Sequence, residues 1–301
     1  MRKSIFLLAA FCLLCSKAAF ANNDRPAELR AIVKFELDSG RIIVPVRLND
    51  SQRTLRFLFD TGADGMAIRQ SLADSLNLPE SHSQSANIVG GTAKISISRG
   101  NSVHIGDTLT LPEQSIALFP EISGDLDGIL GLNPAYRYIT EVNFDRQEIR
   151  LYSFGKFQYP ENGEFITMKD STNIILIPAT LNIVGKKDAE GFFVFDTGAS
   201  YHLIGFSRFV RKNRLLLTGF KPESEASTVS MGHATPVFNG KAFQFRLNRF
   251  TFDQMPVTLQ ASSSRNDSAD TPDGSIGIFI INRFNFVIDK KQRTVFLSPR
   301  E

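Results

Sequence analysis

Phe57-Leu-Phe-Asp-Thr-Gly-Ala63 returns 136 residues later as Phe193-Val-Phe-Asp-Thr-Gly-Ala199. In each copy a short apolar and aromatic run ends on an aspartate, and Thr, Gly and Ala follow. One Asp-Thr-Gly would be a weak signal in a chain of 301 residues. A pair set in the same aromatic frame carries far more.

Working outward from this pair, the same order of blocks appears twice. Ile42-Ile-Val-Pro-Val-Arg-Leu-Asn49 matches Ile175-Leu-Ile-Pro-Ala-Thr-Leu-Asn182, and Asp127-Gly-Ile-Leu-Gly131 matches Asp273-Gly-Ser-Ile-Gly277. Val89-Gly90 aligns more weakly with Met231-Gly232. Asn143-Phe-Asp-Arg-Gln-Glu-Ile-Arg-Leu-Tyr-Ser153 resembles the stretch Val287 to Leu297. Collinear blocks whose spacing drifts by only a few residues mean a duplicated domain with small loop insertions.

Each copy reads as β. Ile42 to Leu48, Leu55 to Phe59 and Ile149 to Tyr152 are rich in branched and aromatic residues. Asp38-Ser-Gly40, Asn49-Asp-Ser51, Gly106-Asp107 and Asn239-Gly240 supply turns between such runs. Arg69 to Leu76 and Ser207 to Leu215 read as short helices. Ser153 to Asn173 reads as a linker, and Ala261 to Gly274, rich in Ser, Asp and Asn, as a surface loop.

Composition sets the outer bounds. The chain is 42% hydrophobic and 22% charged, an ordinary globular mixture, with 26 Phe and no Trp. The N-terminus has the form of a secretory signal: Arg2 and Lys3, an apolar run from Ile5 to Leu14, then Ala19-Phe-Ala21. Cleavage after Ala21 is expected, with export to the periplasm or outside the cell. A lipid-anchor reading at Cys15 suffers from Leu14, where a small residue is wanted. Both cysteines fall inside the signal, so the mature chain holds no disulfide and no thiol nucleophile. Removing Arg2, Lys3 and Lys17 from the 34 basic residues leaves 31 against 31 acidic ones. Nothing then favours nucleic acid or an anionic surface. No later run is long and apolar enough to span a bilayer as a helix.

The chemistry that suits a repeated Asp-Thr-Gly is peptide hydrolysis by a carboxyl pair. Two carboxyls held together cannot both ionise, so they share a proton and divide into a base and an acid. Each half would contribute one member, Asp60 and Asp196. Gly62 and Gly198 would allow close backbone approach, and Thr61 and Thr197 would lock the loops through their hydroxyls. No metal or cofactor is required.

These motifs resemble the aspartic peptidases of the pepsin and retropepsin superfamily. The likeness is greatest to bacterial retropepsin-like proteins, here with two copies in tandem. The resemblance implies an all-β fold of two similar lobes with a cleft between them. It implies catalysis by Asp60 and Asp196, with Ile129-Leu130-Gly131 and Ser275-Ile276-Gly277 packed beside the Asp loops. Gly90-Gly91 and Gly232-His233 would be flap tips. The resemblance divides the chain into a signal (1–21), an N-terminal lobe (22–155) and a C-terminal lobe (156–301). Several departures stand out. There is no Asp-Thr-Gly-Ser-Ser, and no Tyr between Met66 and Asp127 to serve as a flap tyrosine. About ten residues between Asn22 and the first strand leave no room for a long prosegment. Ser275 takes an apolar position.

Other residues read as structural. His82, His104, His202 and His233 have no metal-ligand spacing, Ser200 has no matching triad, and Asp64 reads as a surface or salt-bridge residue. Asp145 and Asp289 fit turns before a last strand. The function expected is an exported aspartic endopeptidase acting on peptides or unfolded proteins, a monomer by pairing of its own lobes. The alternatives are an inactive binding module of the same fold for a peptide or envelope protein, and a dimer in which halves pair between molecules.

Overall fold

The computed structural model describes residues 25–88, 91–122, 124–169, 173–230, 233–261 and 271–300. The signal segment, Gly90, Gly232 and most of the Ala261–Gly274 loop lie outside the described residues.

The described chain opens with β1 (Leu29–Lys34). The first lobe follows as β2 (Glu36–Asp38), β3 (Arg41–Leu48), β4 (Leu55–Phe59), β5 (Met66–Arg69), helix α1 (Gln70–Ser75), β6 (His82–Ile88), β7 (Gly91–Ile105), β8 (Leu109–Phe119) and β9 (Gly128–Leu130). β10 (Ile139–Asn143), β11 (Glu148–Tyr152) and β12 (Glu164–Thr167) come next. The second lobe contains β13 (Leu176–Asn182), β14 (Asp188–Phe195), β15 (Leu203–Gly205), helix α2 (Ser207–Lys212), β16 (Pro222–Ser230), β17 (His233–Leu247), β18 (Phe250–Gln260) and β19 (Gly274–Ile276). A short helix α3 (Ile278–Ile281) leads to β20 (Phe284–Asp289) and β21 (Thr294–Pro299).

Each lobe is a closed barrel. In the first, β3-β4-β9-β5-β8-β7 pair in that order and β7 returns to β3. In the second, β13-β14-β19-β15-β18-β17 do the same, with β17 returning to β13. The pairing is equivalent strand by strand. β7 and β17 each run fifteen residues, and β8 and β18 each run eleven. The fold is all-β and two-lobed, as the repeat predicts.

A six-stranded sheet of order β1-β11-β10-β20-β21-β12 joins the lobes. Its centre is the antiparallel pair β10–β20, with Thr140, Glu141 and Val142 opposite Ile288, Val287 and Phe286. Strand β12 lies within the stretch whose sequence reads as a plain linker. Gly163 immediately precedes it, and Pro160, Glu161 and Asn162 stand just before. Its pairing with β21, not its own four residues, makes it a strand.

The aromatic frame of the motif is core. Phe57, Phe59, Phe193 and Phe195 are fully buried. Each removes enough apolar area from water to contribute roughly 2–3 kcal/mol. Leu58, on the other face of β4, is buried as well, against Ile43 and Leu126. Burial on both faces explains a continuous apolar run where a half-exposed strand would alternate. Phe195 meets Phe286 edge-on at 5.1 Å, and Phe286 meets Phe144 at 6.2 Å, so the second lobe's core runs on into the shared sheet. Among the described residues, no helix is long and apolar enough to cross a membrane.

Candidate active site

β4 and β14 each end immediately before an aspartate, and both run parallel to a short strand that holds them. In the first lobe the Asp60 N–H donates to Leu130 O (2.9 Å) and the Leu132 N–H donates to Ala63 O (3.0 Å). In the second, the Asp196 N–H donates to Ile276 O (3.0 Å) and the Ile278 N–H to Ala199 O (2.8 Å). The loop is therefore clamped from both sides by Ile129-Leu130-Gly131 in one lobe and Ser275-Ile276-Gly277 in the other. The aspartates that open those blocks brace them in the same way. Asp127 accepts the Arg56 N–H (3.0 Å) and pairs with Arg69, while Asp273 accepts the Phe192 N–H (2.9 Å) and pairs with Arg208.

The two loops meet through their threonines. The Thr61 hydroxyl donates to Phe195 O (2.5 Å) and accepts the Thr197 N–H (3.1 Å). The Thr197 hydroxyl donates to Phe59 O (2.7 Å) and accepts the Thr61 N–H (3.0 Å). Both side chains are fully buried. The four bonds form a reciprocal set across the lobe junction, and every polar atom of the two hydroxyls has a partner.

The glycines bring the carboxyls together. A Cβ on Gly62 would lie 2.7 Å from Asp196 Cγ, and one on Gly198 would lie 2.4 Å from Asp60 Cγ. Each lobe thus presses its glycine against the other lobe's carboxyl, a contact that excludes any side chain. The Gly62 N–H donates to Asp60 Oδ1 (2.8 Å), and the Gly198 N–H to Asp196 Oδ1 (3.0 Å).

Burial dominates the electrostatics and pushes both carboxyls up from their ordinary range. Asp60 is offset by backbone donors from Gly62, Gly198 and Ala63 and by its hydrogen bond with Asp196. Asp196 is pushed well above the usual carboxylate range, because the Asp60 charge adds to burial. Two carboxyls in hydrogen-bond contact, unequally supplied with donors, can hold one proton between them with the charge favoured on Asp60.

The remaining sequence candidates lie elsewhere or have other partners. The His202 ring packs against Phe279 at 5.2 Å, and burial followed by the nearby Arg283 charge pulls its pKa down. His82 and His104 bond to the hydroxyls of Ser81 and Thr110. Gly91 and His233 open the returning strands of the β6–β7 and β16–β17 hairpins. Asp64 accepts from the Tyr136 hydroxyl and from Asn173 Nδ2 (3.0 Å), and Lys290 donates to Asn173 O (2.6 Å). These contacts tie the first lobe to the chain entering the second. Asp145 pairs with Arg300 (2.7 Å), and Asp289 accepts the Gln292 N–H (2.9 Å) in its turn. Among the described residues, no group of three His, Cys, Asp or Glu is arranged to hold a metal.

Two residues at the site were not identified as such by sequence reasoning. The Ser275 hydroxyl donates to Asp196 Oδ2 (3.2 Å), and the Tyr201 phenol lies beside Ser275. The only sequence signal was that Ser275 interrupts an otherwise apolar block.

Two closed β-barrels facing each other across paired Asp-Thr-Gly loops have the fold of the aspartic proteinases. Residues 44–133, most of the first lobe, match the family described as Aspartyl protease. Among solved structures, the aspartic proteinase from Irpex lacteus superposes with a TM-score of 0.58 at 16% identity, over 90% of this chain and 97% of that one. At that identity the likeness is one of fold. No curated protein matches the sequence. The match over residues 44–133 and the shared fold both point to the aspartic proteinases as what this chain is similar to.

Proposed function

We propose that the protein is an exported aspartic endopeptidase in which Asp60 and Asp196 form one catalytic pair. The observation that carries this reading is the crossed contact in which the glycine of each loop lies against the carboxyl of the other. Such an arrangement forces two acids together at a cost in burial that a purely structural junction has no need to bear.

In this mechanism Asp60, the better supplied with backbone donors, removes a proton from a water molecule bound between the carboxyls. The water oxygen attacks the peptide carbonyl carbon while Asp196 gives its proton to the carbonyl oxygen. The tetrahedral adduct then collapses: the C–N bond breaks, the departing nitrogen takes the proton held by Asp60, and Asp196 recovers its own from the adduct hydroxyl. Thr61 and Thr197 hold the loops rigid, and Gly62 and Gly198 keep the carboxyls in contact. An extended peptide would lie across the cleft between the lobes, with Gly90-Gly91 and Gly232-His233 as the flap residues. The lobes would divide near residues 155 and 156. Both aspartates lie in one chain, so the pair needs no second copy.

The test is cleavage of a mixed peptide library by the purified mature protein from acid to neutral pH, read by mass spectrometry beside Asp196→Asn. Cuts that vanish in the variant support the reading and give the specificity directly. A folded protein that cuts nothing at any pH would replace it with a peptide-binding module of the same fold.

A further inference from the structure

The pseudo-twofold that relates the lobes is broken at the dyad itself. Beside Asp60, the repeat places Ile129 in the supporting strand and Gly65 in the loop. At the equivalent positions beside Asp196 stand Ser275 and Tyr201. Ser275 is 2% exposed in β19, between β14 and β15 and flanked by buried Gly274 and Ile276. A hydroxyl in such a place costs stability unless its hydrogen bonds are made. It donates to Asp196 Oδ2, with Tyr201 alongside.

Tyr201 is held in place for this contact. Its N–H donates to Ala199 O (3.0 Å), and its carbonyl accepts the Phe279 N–H (3.2 Å). Its ring covers Gly277, where a Cβ would lie 2.7 Å from Cδ2, so Gly277 leaves the room the ring occupies. Burial, with the charges of Asp196 and Asp60, raises the phenol pKa further above its already high ordinary value. The phenol therefore stays protonated beside Ser275, whose hydroxyl donates to the Asp196 carboxyl. The other titratable group facing Asp196 is Asp60.

We propose that Ser275, backed by Tyr201, is a positioning residue that fixes the Asp196 carboxyl and draws its proton affinity back toward that of Asp60. It acts through Asp196 and not on the substrate. A hydrogen bond donated to a carboxylate favours its ionised form, so this pair draws the upper ionisation of the dyad downward. Among the described residues, the first lobe, with Ile129 and Gly65, offers Asp60 no such hydroxyl, and Asp60 is supplied by backbone N–H groups and by Asp196.

The inference rests on the peptidase reading, and its test separates the two. Ser275→Ala and Tyr201→Phe are each compared with the unaltered protein in two measurements. One is the pH profile of kcat/KM on a cleaved peptide. The other is a carbon-13 NMR titration of the aspartate carboxyls, with the Asp196 signal assigned by its loss in Asp196→Asn. In Ser275→Ala the alkaline limb and the Asp196 titration should both move to higher pH by about one unit, with Tyr201→Phe moving the same way by less. An unshifted titration in folded Ser275→Ala would overturn the inference even if peptide cleavage is robust. If no peptide is cut but the Asp196 titration still moves, the positioning role stands and the peptidase reading falls.

Discussion

The two lobes share a barrel order, strand lengths and loop clamps, yet they differ in what stands behind the aspartate. In the first lobe the support is apolar, with Ile129 next to the loop and Gly65 on it. In the second it is polar, with Ser275 and Tyr201. The parts that are the same, Thr61 with Thr197 and Gly62 with Gly198, are those that reach across the junction. Of the parts that differ, Ser275 donates to the carboxyl of its own lobe. Duplication therefore holds where each copy must fit the other, and relaxes behind the aspartate, where each copy packs within its own lobe.

The largest effect expected on this symmetry comes from the glycines. Gly198→Ala would put a methyl 2.4 Å from Asp60 Cγ, and Gly62→Ala one 2.7 Å from Asp196 Cγ. Either must separate the carboxyls, and a displacement on the order of 1 Å at reacting groups costs about 10²-fold in rate. Both variants should lose at least about that much kcat/KM, Gly198→Ala the more, while remaining folded by circular dichroism. Retained activity in both would mean that the carboxyl contact is not what the chemistry uses.

The threonines come next. Thr61→Val and Thr197→Val each remove one hydroxyl that donates to a carbonyl and accepts an N–H across the junction. Leaving those buried backbone groups without partners should cost about 2–3 kcal/mol in urea unfolding, by nearly equal amounts for the two variants. Unequal costs would break the equivalence of the lobes at the one place where the structure makes it most complete.

The smallest effect concerns the energy stored in the dyad. Both carboxyls have pKa values raised by burial, and Asp196 is raised the more. A raised folded-state value means that the folded form holds its proton longer than the unfolded chain. The stability this represents is fully present below the ordinary carboxylate pKa near 4 and is lost as pH rises through the folded value. Asp196→Asn removes that loss. Its melting temperature should exceed that of the unaltered protein by about 3 °C or more at pH 7, and the gap should close toward pH 3. A gap that is constant with pH would place its origin outside the dyad's ionisation.

How much of this was legible beforehand depends on where the determining contacts lie. Phe57, Phe59, Phe193 and Phe195 announce buried strands because apolar burial writes itself into local composition. The Asp-Thr-Gly pair and the Asp-Gly blocks are short and repeated, so their roles could be read from spacing and resemblance. β12 was hidden because Glu164–Thr167 is a strand only by virtue of β21. Tyr136, Asn173 and Lys290, which gather around Asp64, lie up to 226 residues from it in the chain, and nothing local marks them. Ser275 was visible only as an irregularity. Its meaning depends on the position of the Asp196 oxygen, and that is a tertiary distance.

By itself, then, the sequence determined the duplication, the β character of both copies and the two equivalent Asp-Thr-Gly loops. Each of these is carried by local pattern or by its repetition. The tertiary structure decided that the loops cross, that each glycine lies against the opposite carboxyl and that one carboxyl has a hydroxyl behind it which the other lacks. Those features arise from groups brought together across 79 to 138 residues of chain. Burial and the unequal supply of backbone donors then give the two carboxyls different proton affinities, and the hydroxyl behind Asp196 offsets part of that difference.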